Sequence, residues 1–286
     1  MNILNLEGLK AVGQVAPNTI INADCLEAMK YIADKSIDCI ICDLPYGWGI
    51  TACKWDTVIP FEPLWEQYKR IIKPRGAIAL FGSQPFTSAL VMSNPKWFKY
   101  EWIWEKDMGT GFLNARKQPL RITENVSIFS NGQAKYYPQM REGFKPYVCK
   151  QGSASNNYGD YNRIKTINNG DRYPINLIRN IRNGDKQHPT QKPVALIEYL
   201  IKTYTLKDEL ILDNTAGSGT LAIAAINTDR NYICIEKDEH YFEVMRDRIE
   251  NHDPNAIKPQ PKLPKKKPVN SEYIQLSLFN DCLDSL

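Results

Sequence analysis

A chain of 286 residues with 43% hydrophobic and 24% charged content is long enough to bury one sizeable core with an embedded smaller lobe. No stretch approaches the ~18 consecutive apolar residues of a membrane span, and the opening MNILNLEGLK lacks the basic start and apolar run of a secretion signal, so a cytoplasmic protein with no membrane partner is expected. The net charge of +4 is uneven: Pro138 to Gln187 carries nine Lys or Arg against four Asp or Glu, and Ala256 to Pro268 carries five Lys and no acid, which points to a polyanionic partner.

Short apolar runs alternate with amphipathic ones, the pattern of an α/β protein. Ser36 to Asp43 (SIDCIICD) predicts a buried strand, Pro63 to Ile72 a helix, Gly76 to Ser83 a strand and Pro85 to Met92 a short helix. Tyr100 to Lys106 and Glu124 to Asn131 are two more strands with no obvious helix between them, so antiparallel pairing is expected. The stretch 138–187, rich in Asn, Gly, Tyr and Arg, suits an irregular insertion better than central strands. A second α/β half follows: helix Pro193 to Tyr204, strand Glu209 to Asp213, helix Thr220 to Asn227, strand Asn231 to Glu236 and helix His240 to Asn251. The expected organisation is one α/β domain over 1–255 with an insertion at about 138–187, a flexible Pro- and Lys-rich linker over 256–274, and a separate peptide over 275–286.

The seven cysteines are odd in number and scattered, and Cys25, Cys39, Cys42 and Cys234 lie in or beside apolar runs, which predicts reduced thiols. Cys39 and Cys42 form a C-x-x-C, but positions three apart on a strand face opposite sides, so both are read as core. With three His and no clustered ligands, no metal site is expected.

The strand ending at Asp213 runs into Asn214, Thr215, Ala216, Gly217, Ser218, Gly219 and Thr220, and then into a helix. A strand, a small-residue turn and a helix N-terminus let backbone N–H groups approach a ligand closely. Glu236, at the end of the next strand, is placed to accept hydrogen bonds from ribose hydroxyls, so an adenosine-containing cofactor fits. Gly217, Gly219 and Ala222 also satisfy the dinucleotide pattern, so this motif alone leaves NAD open. Too little chain follows Thr220 to complete a doubly wound sheet, so the remaining strands must come from the first half, in an order permuted relative to a usual nucleotide-binding domain.

At the end of SIDCIICD stand Asp43, Leu44, Pro45 and Tyr46: an acid, a rigid proline and an aromatic ring where strand ends form an active-site rim. With this tetrapeptide the chain resembles the permuted, beta-class DNA amino-methyltransferases, whose catalytic motif is Asp, Asn or Ser followed by two prolines and an aromatic residue; Leu44 departs from it. Asp213 to Thr220 (DNTAGSGT) is similar to the family's cofactor loop, commonly DPFxGSGT, with Asn214 and Thr215 as departures. His188 to Pro193 (HPTQKP) is similar to the element ahead of that loop, and NADCLEAM (Asn22 to Met29) to the segment whose acid lies near the cofactor adenine.

The resemblance implies a Rossmann-like, mostly parallel sheet with an antiparallel element and S-adenosylmethionine as cofactor. It implies Asp43, Leu44, Pro45 and Tyr46 as catalytic residues, and Asp24, Asp43, His188, Thr190, Lys192, Asp213, Ala216, Gly217, Ser218, Gly219, Thr220 and Glu236 as cofactor-binding ones. The implied reaction is methyl transfer to an exocyclic amine of a flipped base in double-stranded DNA. Asp in first position leans toward adenine N6, with cytosine N4 as the alternative and a catalytically inactive DNA-binding protein as a more distant one. The basic insertion matches where the family places its target-recognition region. Finally, Gln275, Leu276, Ser277, Leu278 and Phe279 (QLSLF) resemble the bacterial sliding-clamp-binding pentapeptide, so a clamp is an expected second partner.

Overall fold

The computed structural model describes residues 1–47, 56–149, 166–179, 181 and 191–254. In chain order they form β1 (Asn2–Asn5), α1 (Leu6–Val12), β2 (Thr19–Asn22), α2 (Cys25–Met29), β3 (Ile37–Cys42), α3 (Phe61–Ile71), β4 (Ile72–Gly82), α4 (Phe86–Ser93), β5 (Phe98–Thr110) and β6 (Arg121–Phe129). Then come β7 (Tyr147–Cys149), β8 (Thr166–Asn168), β9 (Leu177–Ile178), α5 (Val194–Tyr204), β10 (Leu210–Asp213), α6 (Thr220–Asn227), β11 (Asn231–Glu236) and α7 (Glu239–Glu250).

The main sheet of the described residues has the order β1-β2-β11-β10-β3-β4-β6-β5-β9. From β1 to β4 every pairing is parallel, β6 runs antiparallel to both β4 and β5, and β9 adds in parallel at the β5 edge. The expected parallel sheet with an antiparallel pair is therefore present. So is the permutation, because β10 and β11 come last in the chain yet sit between β2 and β3.

The central strand β3 is buried along its whole length, as a parallel strand covered on both faces must be. Its alternation sends Cys39 and Ile41 into one core and Ile40 and Cys42 into the other, so the C-x-x-C pair is divided between the two faces as the strand period requires. The first face is covered by α5, α6 and α7 through residues such as Leu200, Ala222 and Met245. The second is covered by α2, α3 and α4 through Met29, Tyr68 and Phe86. In α3 the buried positions Leu64, Trp65, Tyr68 and Ile71 form one stripe, with Glu62 in the first turn and Lys69 and Arg70 in the last, matching the helix dipole. Each such side chain contributes about 1.5–3 kcal/mol on burial. Helix α6 has no polar face over Thr220 to Ala225 because it packs against both α5 and α7.

The insertion contributes more order than its composition suggests. Among the described residues, β7 and β8 pair as a short antiparallel hairpin and β9 returns to the main sheet. The linker 256–274, the peptide from Gln275, and also His188 and Thr190 lie outside the described residues.

Candidate active site

Parallel pairing of β2, β11, β10, β3 and β4 aligns their carboxyl ends along one edge. Between β10 and β3 the winding reverses: the connection after β3 leads outward to β4, and the connection after β10 leads the other way to β11. Loops diverge at such a switch point and leave a crevice. Asp43 leaves β3 there, and the glycine turn leaves β10. A cleft of about 1160 Å³ spans both and reaches Asp24 and Glu236.

Asp43 is 27% exposed and fully engaged. Its Oδ1 accepts from the Tyr46 hydroxyl at 2.8 Å and its Oδ2 from Lys192 Nζ at 2.7 Å. Lys192 lies just ahead of α5, is 9% exposed, and also stands 3.0 Å from Glu124 Oε2 on β6. Lys106 on β5 pairs with the other Glu124 oxygen at 3.2 Å. The result is a row of alternating charge running Asp43, Lys192, Glu124, Lys106, most deeply buried at Lys192. Burial pushes the Asp43 carboxyl above its ordinary range, with Lys192 opposing and Glu124 adding to the rise. For Lys192, burial works against the charge, but Asp43 and Glu124 outweigh it and hold the ammonium protonated. Burial would also raise Glu124, yet Lys192 and Lys106 bring it below its usual value.

The Tyr46 ring stacks on Phe86 at 5.1 Å between centroids. Leu44 turns its side chain into the core, so the residue that replaces the family's first proline anchors the turn by packing. Thr215 ties the two loops together: its hydroxyl donates to the Asp43 backbone carbonyl at 3.1 Å, and its N–H to Asp213 Oδ1 at 3.0 Å.

Asn214 accounts for the other departure from the family loop. Its N–H donates to Cys42 Sγ at 3.3 Å, and its side-chain oxygen accepts from Cys42 Sγ at 2.8 Å and from Tyr68 Oη at 2.6 Å. A proline at that position would have no N–H to give.

Two glycines in the turn adopt the left-handed conformation, with φ of +51° at Gly217 and +76° at Gly219. They serve different ends. A Cβ on Gly219 would lie 2.6 Å from Met245 Cγ, so this glycine permits α7 to close in; one on Gly217 would meet nothing within 4 Å, so its backbone is open to approach from the cleft. Gly217 N–H donates to Glu236 Oε2 at 2.7 Å, and Asp238 N–H donates to Oε1 at 2.9 Å. Burial raises the pKa of Glu236, against these backbone donors. Burial also pushes Asp213 up to about 7. Asp24 caps α2 by accepting from Leu26 N–H at 3.0 Å, and Lys237 Nζ lies 3.2 Å from its second oxygen.

Residues 37–247 match the N6/N4 methyltransferase family model, described as DNA methylase. The chain belongs to this family. As a member it is an S-adenosylmethionine-dependent DNA amino-methyltransferase. It is 27% identical to the type II methyltransferase M.HinfI of Haemophilus influenzae, over 91% of this chain and 78% of that one. To M2.MboI of Moraxella bovis it is 28% identical, over 80% and 86%. The fold is that of the PvuII DNA methyltransferase (cytosine-N4-specific), with TM-score 0.59, 15% identity and coverage of 86% and 89%. It is also that of the M1.HpyAVI-SAM complex, with TM-score 0.53, 24% identity and coverage of 80% and 98%.

Of the residues singled out by sequence, Asp24, Asp43 to Tyr46, Lys192, Asp213, Ala216 to Ser218, Thr220 and Glu236 all line this one cleft of the methyltransferase; Gly219 turns instead toward Met245. Glu124 was missed: in the predicted strand ENVSIFSN it is one polar residue among several, and nothing local marks it. Phe86 and Arg248 were missed as well. Arg248 on α7 holds the turn by donating to the Ser218 carbonyl at 3.0 Å, and α7 lies some thirty residues further along the chain, where no local pattern signals it. Among the described residues no group of three or more His, Cys, Asp or Glu is gathered as for a metal, and no helix is long and apolar enough to cross a membrane.

Proposed function

We propose that this methyltransferase acts on N6 of adenine in double-stranded DNA, with the base rotated out of the duplex and its amine held by Asp43. The observation that carries this reading is the Asp43 carboxylate at the sheet's switch point, sharing one cleft with the glycine turn and Glu236. Asp at this position, where the resembling cytosine enzymes more often carry Ser, favours adenine over N4 of cytosine.

S-adenosylmethionine, when bound, supplies an electrophilic methyl group on a sulfonium. The residues present fit it. Glu236 is oriented by two backbone N–H groups, and each of its oxygens keeps a lone pair for a ribose hydroxyl. Leu26 and Leu221 offer apolar walls to an adenine, and Asp24 offers an acceptor at the same end. By resemblance, His188 and Thr190 complete the set.

An exocyclic amine is a weak nucleophile because its lone pair is delocalised into the ring. The Asp43 carboxylate and the Leu44 carbonyl accept its two hydrogens and draw the nitrogen toward tetrahedral geometry, and Asp43 is the adjacent base for the proton shed as the N–C bond forms. Lys192 favours the ionised form of Asp43 against the pull of burial. Tyr46, held by stacking on Phe86 and with Lys192 Nζ 5.9 Å from its ring centre, is the aromatic ring assigned to stack on the base.

The insertion at about 138–187 is assigned to target recognition. In it Arg172 lies over the rings of Phe144 (5.3 Å) and Tyr147 (4.6 Å), a basic and aromatic surface suited to phosphates and bases. Residues 256–274 serve as a basic tether, and Gln275 to Phe279 as a sliding-clamp ligand. Pull-down with the purified clamp tests that assignment, and no binding by the full chain overturns it.

The reading as a whole is tested by Asp43→Ala. Methyl transfer should fall by roughly 10²–10³-fold or more in a protein that still unfolds cooperatively on heating. Undiminished turnover contradicts it.

A further inference from the structure

The β5–β6 hairpin ends in a tip that presents two adjacent apolar side chains to solvent. Beyond Thr110 the chain makes a 3-10 turn, Phe112–Asn114, fixed by Asn114 N–H to the Gly111 carbonyl (3.0 Å) and Lys117 N–H to the Asn114 carbonyl (2.8 Å). On this ordered turn Phe112 is 76% exposed and Leu113 is 86% exposed. Adjacent large apolar side chains held outward on a built turn mark an interaction site more than a packing residue. Between Thr110 and Ile122 stand Arg116, Lys117 and Arg121, with no acid. The base of the same hairpin belongs to the catalytic cleft: Trp104, Thr110, Gly111 and Arg121 line it, together with Glu124.

We propose that the Phe112–Leu113 tip is a wedge that enters the DNA duplex at the target base and occupies the stack which that base vacates, with Arg116 and Lys117 on the flanking phosphates. The proposal rests on the DNA methyltransferase reading and adds to it the element that drives the base out. Its occupant is fixed by continuity and charge. The tip is the direct extension of the wall of the cleft that receives the flipped base, and it pairs an apolar end with cations, complementary to a stacked interior between phosphate rows. A base leaving the helix exposes apolar ring faces above and below, and inserted apolar side chains are a general way to hold such a gap open.

The test compares wild type with the double variant Phe112→Ala, Leu113→Ala on two duplexes carrying the site at which the enzyme's methylation has been mapped. In one the target base is normally paired; in the other it faces an abasic position, so that it leaves the stack easily. On the paired duplex the variant should lose roughly 10- to 100-fold in single-turnover methylation. The 2-aminopurine fluorescence rise that reports flipping should fall with it. On the abasic duplex most of the loss should be recovered, with S-adenosylmethionine affinity and melting temperature unchanged. Equal rates for variant and wild type on the paired duplex overturn the wedge, as does an equal loss on both duplexes. A wild-type dimer that the double substitution dissociates also overturns it, because the tip would then cover a second copy. Failure of the underlying reading looks different: the mapping itself would find no methylated site in DNA.

Discussion

Lys192→Met is the perturbation whose consequence follows most directly from the site's geometry. The ammonium lies 2.7 Å from Asp43 Oδ2 and 3.0 Å from Glu124 Oε2, in a position 9% exposed. At an effective dielectric near 20, each contact is an attraction of about 4–6 kcal/mol, offset by several kcal/mol for desolvating the cation. Removing the cation from such a cluster costs about 3–5 kcal/mol. The chain avoids that cost by taking up a proton. Glu124 still has Lys106, so the proton goes to Asp43. At about 1.4 kcal/mol per tenfold change, the Asp43 pKa rises by about two to four pH units. Since the amine needs an ionised acceptor, the acidic limb of kcat/KM should move to higher pH by that amount. Neutral-pH activity should fall and recover in part in alkaline buffer. Glu124→Gln carries the opposite sign: it removes a negative charge near Asp43 and should move the limb to lower pH. Tritiated-methyl incorporation across pH 5–10, at saturating cofactor, reads both. A Lys192→Met profile with its limb unmoved refutes the reasoning. A raised KM for S-adenosylmethionine in its place puts Lys192 on the cofactor.

In Asp213 the folded-state pKa of about 7 lies above the ordinary 3.8, so its protonated form contributes stability that is fully present below about pH 4 and lost as pH rises through about 7. Asp213→Asn should therefore flatten that decline, leaving the cofactor-free variant more stable than wild type at pH 8 by up to a few kcal/mol and similar at pH 4, as read by thermal melting. Glu236→Gln should weaken S-adenosylmethionine by about tenfold in calorimetry, because a charge-assisted acceptor becomes a neutral one. Gly219→Ala should lower stability by about 1–3 kcal/mol or more, since φ is +76° and the new Cβ meets Met245; an unchanged melting temperature contradicts this. Tyr46→Ala should cost far more activity than Tyr46→Phe if the ring's role is to stack, and equal losses would instead assign the work to its hydrogen bond with Asp43.

The central architecture was legible because parallel strands buried on both faces leave short apolar runs, and CIIC within SIDCIICD and LIL within ELILD are such runs. The permutation was legible in the motif order, with the DLPY strand ahead of the glycine turn, and the strand order bears it out. Strands β1 and β2 were not legible: β1 (NILN) is mostly exposed, and β2 (TIIN) has only Ile20 and Ile21 between polar residues. The extension of β4 back to Ile72 was hidden by Pro74 and by Arg75, which takes a positive φ of +64°. At the site, residues on the strand-end loops could be read from their motifs. What motifs could not supply was the pairing across the sheet: Glu124 reaches Lys192 from an antiparallel strand nearly seventy residues away, and only the fold brings the two together. The same holds for Asn214, a departure from the family pattern until Tyr68 and Cys42 are seen to surround it.

The central claim is tested most directly by the modified base itself. DNA from a methylation-deficient bacterial host expressing the full chain, digested to nucleosides and analysed by mass spectrometry, should contain N6-methyladenine. The Asp43→Ala strain should contain none above background. N4-methylcytosine in place of N6-methyladenine would contradict the assignment of the amine, and no methylated base from a well-folded, S-adenosylmethionine-binding wild type would contradict the account of Asp43 as a working acceptor.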